Sequence, residues 1–192
     1  NKNSDTAELT QNARVSLDRI SRELRQSANI ISTLPATETD PDNPPASQIF
    51  FQDGHDTSRI TYLRYYLNGA DLTREHKAYY FNQEPSVYVA YNSLDQGGNP
   101  PLETVINNRV VGEFFTELKF WGASVLVNVN LRFAKNQNAF TLNTSVFSRN
   151  HWADNHLNNS MVKYSIKKQN RGIALILTIL LMSLVLFLSL YL

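Results

Sequence analysis

The chain has 192 residues, with 18 Lys and Arg against 17 Asp and Glu and a formal net charge of +1. That length accommodates one domain of ordinary size with appendages, and the near-neutral charge implies no polyanion, so no nucleic acid contact is expected. The absence of cysteine excludes disulfides, thiolate metal sites and cysteine nucleophiles.

Nine Tyr and ten Phe favour β-structure. Residue 1 is Asn rather than Met, so an upstream segment is expected before it. The first element is an amphipathic helix. Leu9, Ala13, Leu17, Ile20, Leu24, Ala28 and Ile31 recur in steps of three and four, which places them on one helical stripe. Arg14, Asp18, Arg19, Arg22, Glu23 and Arg25 occupy the other faces. Asp18 and Arg22 have the spacing of an i,i+4 ion pair. Asp5 and Glu8 have the spacing of a capping box, and the alternative is a helix continuing from upstream. Ser32, Thr33 and Pro35 are expected to end it.

Residues 35–47 read as a solvated loop holding four prolines and the acidic Glu38, Asp40 and Asp42. Their spacing matches no calcium loop. Strand signals follow over 48–52 and 59–67, the second with strict alternation. Asn68-Gly69 marks a turn. Further strands are expected over 78–81 and 87–91, with Glu84-Pro85 between them. Residues 95–101 form a loop without the lysine and helix of a phosphate cradle. Glu117 to Trp121 reads as a strand and Gly122 as a turn. Val125, Val127, Val129, Leu131 and Phe133 then alternate with mostly polar residues, as in an antiparallel sheet with one buried side. Residues 135–138 turn the chain, and Phe140, Leu142, Thr144 and Val146 mark a return strand whose apolar face suits the helix stripe.

Residues 153–172 read as a polar and basic linker. Ile173 to Leu192 carries no charge, with only Thr178, Ser183 and Ser189 as polar breaks. As a helix it would be ~30 Å long, which matches a bilayer core, so a transmembrane helix is expected there.

Two stretches resemble a known family. Leu9 to Ser27 (Leu-Thr-Gln-Asn-Ala-Arg-Val-Ser-Leu-Asp-Arg-Ile-Ser-Arg-Glu-Leu-Arg-Gln-Ser) resembles the exposed half of the N-terminal helix of type IV pilin-like proteins. It is closest to the J class of minor pseudopilins of type II secretion and to related type IV pilus minor pilins. Leu142 to Asn150 (Leu-Asn-Thr-Ser-Val-Phe-Ser-Arg-Asn) is similar to their closing strand. The resemblance covers roughly residues 5 to 152. It implies an α+β fold, a pilin-like N-terminal helix packed on an antiparallel β-sheet, and an upstream membrane-embedded half-helix with prepilin processing and methylation. It also implies a bacterial inner-membrane location with an extracytoplasmic, periplasmic domain assembled into a pilus or pseudopilus. The implied partners are other minor and major subunits, the inner-membrane assembly platform and the membrane.

A second resemblance begins at Met161. A basic leader, Gly172 and an apolar helix are similar to the start of a K-class minor pseudopilin or a minor pilin, which implies peptidase cleavage after Gly172 and before Ile173. The fifth residue after Gly172 is Leu177, where major pilins carry Glu. Lys163, Lys167, Lys168 and Arg171 make that flank cytoplasmic, whereas a pilin-like domain would be extracytoplasmic. Two readings stand: residues from Met161 onward are a second reading frame joined to the first, or the protein is tail-anchored with a cytoplasmic β-rich binding domain.

The expected domains are therefore an amphipathic helix over 1–34, a Pro-rich loop over 35–47, a β-rich domain over 48–152, a linker over 153–172 and a transmembrane helix over 173–192. No catalytic, cofactor-binding or metal-ligating set is expected. His151 and His156, five apart, do not share a helix face. Asp53-Gly54-His55-Asp56 reads as a turn, and no serine elbow accompanies it. A hydrolase using His55 or His76 is a second rival reading, beside the tail-anchored one. The tyrosines over 62–66 and the aromatics over 79–81 suit a sheet core or a contact patch. The expected function is that of a non-enzymatic, assembly-initiating minor subunit of a type II secretion pseudopilus or type IV pilus.

Overall fold

A computed structural model describes residues 2–123, 125–135 and 138–149, all within 1–152, the first of two units into which the chain divides. It contains one helix, α1 (Lys2–Gln26), followed by nine strands: β1 (Asn29–Ile30), β2 (Gln48–Gln52), β3 (Tyr62–Asn68), β4 (Asp71–Phe81), β5 (Glu84–Val89), β6 (Leu102–Gly112), β7 (Phe115–Ala123), β8 (Leu126–Lys135) and β9 (Asn138–Phe147). Strands β1 to β6 form one sheet and β7 to β9 a second, and every pairing is antiparallel. Tyr79 and Tyr80 pair with both β5 and β6, so these two strands flank opposite edges of β4.

This corrects the expected architecture. The α+β design of a pilin-like helix on an antiparallel sheet with a C-terminal transmembrane helix is not what the described residues build. They form a mostly β domain of two sheets with one N-terminal helix, and no helix among them is long and apolar enough to cross a membrane. The segment 173–192, Gly172 with its cleavage site, and His151 and His156 lie outside the described residues.

The helix is also shorter than its apolar period suggests. It ends at Gln26, so Ala28 and Ile31 are not on its stripe. The Ser27 hydroxyl donates to the Leu24 carbonyl at 2.7 Å. The chain then joins the sheet: Asn29 and Ile30 pair with Gln52 and Phe51, and the amides of Ile31 and Ser32 donate to the Phe50 carbonyl at 2.9 and 3.0 Å. Sheet pairing competes with the helical period and wins once a strand is within reach. Leu9, Ala13, Ile20 and Leu24 are buried, and Leu17 packs partly buried beside them.

One core joins all three layers of sequence. Ala13, Ile20 and Leu24 of α1 meet Ile49, Phe51, Leu63, Tyr65 and Leu72 of the first sheet. Phe115, Phe120, Val127, Val129, Leu131, Phe133 and Val146 of the second sheet complete it. The alternation along β8 explains its share: Val127, Val129, Leu131 and Phe133 all point inward. Tyr62 and Tyr65 are core residues too, whereas Tyr66, Tyr79 and Tyr80 are half-buried.

Four strands depart from the sequence reading. β5 opens at Glu84, so Glu84-Pro85 starts that strand rather than lying between two. The 102–112 segment, left without a strand, is β6. Its apolar residues come as adjacent pairs, Val105-Ile106 and Val110-Val111, and its register on β4 shifts at both places, so no period-two pattern survives. The first half of β4 is Thr-Arg-Glu-His-Lys, which reads as surface. Glu75 and Lys77 are nevertheless buried there, 3.2 Å apart, with Glu103 3.1 Å from the Lys77 ammonium. Gly122 lies within β7 rather than in a turn. Its φ is +150°, and a Cβ there would sit 2.0 Å from the Leu126 carbonyl oxygen. Gly112 has a different constraint: a Cβ would meet the Ser16 hydroxyl oxygen at 2.5 Å, where α1 crosses the end of β6.

The Pro-rich loop is exposed over residues 36–44 and tied down at both ends. The Gly122 amide donates to the Pro35 carbonyl at 2.8 Å, and Ala46 forms a bridge with Phe120.

Candidate functional site

The side chains that the sequence marked for chemistry meet at the last turn of α1. Register does this. Leu63 pairs with His76 across β3 and β4, and Asp53 and His55 follow β2. Together with Arg22, Glu23 and Gln26 of the helix they border a cleft of about 490 Å³, which Arg74 also lines. Asp53, His55 and His76 thus border one cleft although they are well separated in sequence.

Hydrogen bonds organise the cleft. The Tyr65 hydroxyl donates to Glu23 Oε2 at 2.7 Å, and Arg74 Nε donates to Oε1 at 3.1 Å and Oε2 at 2.9 Å. Burial works against the Arg74 charge, but its bond to Glu23 outweighs that and holds the guanidinium above its ordinary pKa. Burial, with the Glu23 charge beside it, pushes the Tyr65 phenol far up, so it stays a donor. The His55 amide donates to Asp53 Oδ1 at 3.0 Å, and His55 Nδ1 lies 3.2 Å from Gln26 Oε1. His76 is different. Its Nε2 is buried without a hydrogen-bond partner among the described residues. Burial, then the nearby Arg74 charge, lowers its pKa and favours the neutral ring, against weaker opposing pulls from Asp53 and Glu23.

None of the residues bordering the cleft is a serine or threonine. Among the described residues, no three His, Asp or Glu side chains converge to hold a metal ion. The arrangement is a fixed carboxylate–guanidinium–phenol lock beside an imidazole nitrogen that has no partner among the described residues. The sequence reading missed Glu23, Arg74 and Tyr65. One signal could have pointed to Glu23, an acid directly beside the Ile20–Leu24 stripe in a helix otherwise rich in arginine.

The outer face of α1 is the second feature. Gln11, Arg14, Val15, Asp18, Arg22 and Arg25 are exposed along its length. Val15 is 54% exposed, an apolar side chain in a basic stripe. The Asp18–Arg22 pair suggested by spacing does not form, and Arg14, Arg22 and Arg25 make no ion pair among the described residues. No protein-family model matches the chain, and no curated protein matches it.

Proposed function

We propose that the protein is an assembly-initiating minor subunit of a type II secretion pseudopilus or type IV pilus. One observation carries the reading: α1 has two working faces. Its inner stripe enters a core drawn from both sheets, and its outer stripe leaves Arg14, Arg22 and Arg25 exposed around Val15, with Asp18 among them. A subunit that must hold its own domain and touch its neighbours through one helix needs that division. The resemblance of Leu9 to Ser27 and of Leu142 to Asn150 to minor pseudopilins and minor pilins supports the same reading. Other subunits, the assembly platform and the membrane are then its partners.

The absence of cysteine makes the test clean. Val15→Cys introduces a single thiol on the outer stripe. A membrane-impermeant maleimide is expected to label it in cells with a permeabilised outer membrane, and oxidation is expected to cross-link it to a neighbouring subunit carrying a matching cysteine. Labelling only after lysis would place the domain in the cytoplasm and favour the tail-anchored reading. Arg14→Glu, which reverses one charge of the stripe, is expected to reduce incorporation into fibres without altering thermal stability.

A further inference from the structure

We infer that β6 is a pairing edge for a second copy of this chain, so that two domains join β6 to β6, antiparallel, across a two-fold axis. Among the described residues β6 pairs with β4 alone, so its far edge leaves backbone donors and acceptors unmatched along a strand of 11 residues. The strand also lacks two common guards of such an edge: it holds neither lysine nor proline. Every residue from Val105 to Val110 is exposed. Val105 and Ile106, adjacent apolar side chains near its middle, are 51% and 45% exposed.

The occupant follows from register. Val105 pairs with Lys77 and Asn107 with His76, so Ile106 is an extra residue and the side-chain alternation changes phase there. Glu103 and Asn108, opposite Tyr79 and Glu75, therefore share one face of the sheet, and Thr104 and Asn107, opposite Ala78 and His76, share the other. An antiparallel copy must set like faces together. A two-fold centred between Val105 and Ile106 does so: Glu103 meets Asn108 of the second copy, Thr104 meets Asn107, and the Val105 and Ile106 side chains of both copies close on one another at the axis. Polar groups match as well. Lys77 and Tyr79 both donate to Glu103 Oε2, at 3.1 and 2.9 Å, which leaves Oε1 for the Asn108 amide. Glu103 and Arg109 are the only charges of the strand and stand toward opposite ends, so antiparallel pairing brings each acidic end to a basic one. Centring the axis between Ile106 and Asn107 instead sets Glu103 against Val110 and Val105 against Asn108, polar against apolar. Centring it on Glu103 or on Arg109 sets like charges face to face. The irregularity at Ile106 disturbs pairing with a regular strand, but an identical strand carries the same irregularity at the same place. Neither the edge nor its register depends on the assembly reading.

The test uses the full 192-residue chain in mild detergent and exploits its lack of cysteine. Leu102→Cys and Arg109→Cys stand opposite each other in this register, within disulfide reach. Each lies roughly 20 Å or more from its own counterpart in the second copy. Oxidation of the two variants mixed is expected to give a cross-linked dimer, and either variant alone is expected to give none. Sedimentation equilibrium of the unsubstituted chain is expected to show monomer and dimer in exchange. Ile106→Lys sets two like charges at the axis and is expected to weaken the dimer roughly tenfold or more, with the thermal midpoint unchanged because the side chain is exposed. Val87→Lys, at a similarly exposed position on β5, is expected to leave the dimer intact. A dimer indifferent to Ile106→Lys would overturn the proposal. So would a monomer at every concentration, which would leave the edge to an extended segment of a different protein. Cross-linking as strong within one variant as in the mixture would overturn the two-fold register and the proposal with it.

Discussion

At the scale of single residues, backbone geometry and buried charge set the largest effects. Gly122 occupies a conformation that L side chains rarely adopt, against the Leu126 carbonyl. Gly122→Ala is expected to destabilise the domain by at least about 2 kcal/mol, read from the denaturant midpoint. Glu23 is the shared acceptor of a fully buried donor, Tyr65, and a largely buried one, Arg74, and its side chain is only 15% exposed. Glu23→Ala strands the Arg74 charge and is expected to cost about 3 kcal/mol, the lower end for a broken buried pair because solvent still reaches both groups. His76 gives a pH dependence with a definite sign. Its folded pKa lies below its ordinary value of 6.5, chiefly because it is buried. As pH falls below 6.5 the unfolded chain takes up the proton first, so stability declines down to the folded pKa and then levels. Comparing denaturation at pH 7.5 and 5.5 checks this, and His76→Gln is expected to remove that part of the decline. Glu103 titrates in a separate window. Burial opposes its charge, but bonds from Lys77 and Tyr79 prevail and hold its pKa below 4.5, so its loss comes at more acid pH.

At the scale of elements, the decisive competition is between local period and long-range pairing. The β8–β9 hairpin was legible because each strand has one apolar face and one polar face, which only a half-buried sheet requires. β6 was not legible, because its two bulges break the period and most of its side chains are exposed. The start of β4 was hidden by Glu75 and Lys77, which become burial-compatible only when they face each other and Glu103. The end of α1 was misjudged for a related reason: Ala28 and Ile31 continue the apolar period, but the sheet claims their backbone. The cleft was only partly visible. Asp53 and His55 stood out as a local cluster, but their approach to His76 is fixed by the β3–β4 register, which no local pattern encodes. The helix end itself is testable. Ser27 and Ser148 have hydroxyl oxygens 3.0 Å apart, and Ser148 donates to the Ser27 carbonyl at 2.9 Å. They are 121 positions apart in sequence. A double-mutant cycle on Ser27→Ala and Ser148→Ala is expected to show coupling of only about 0.5 kcal/mol, since each hydroxyl keeps its own backbone acceptor, the Leu24 carbonyl for Ser27 and the Ser27 carbonyl for Ser148.

At the scale of the molecule, the helix determines whether two sheets behave as one body. Side chains of α1 enter a core that draws on both sheets, and the Arg149 amide donates to the Arg25 carbonyl at 3.0 Å where the closing strand meets the end of the helix. If the helix is the joint, a cavity within it should loosen both sheets together. Leu24 is 1% exposed, and Leu24→Ala is expected to cost about 2–5 kcal/mol. Trp121 on β7 reports the second sheet by fluorescence once Trp152→Phe removes the only other tryptophan. Amide exchange at Tyr65 and Arg74 reports the first. The expected outcome is one transition, shifted equally at both reporters by Leu24→Ala. Two separated transitions, with only one of them shifted, would mean that each sheet holds its own core. The outer stripe of α1 would then be carried by a helix fixed to one sheet alone.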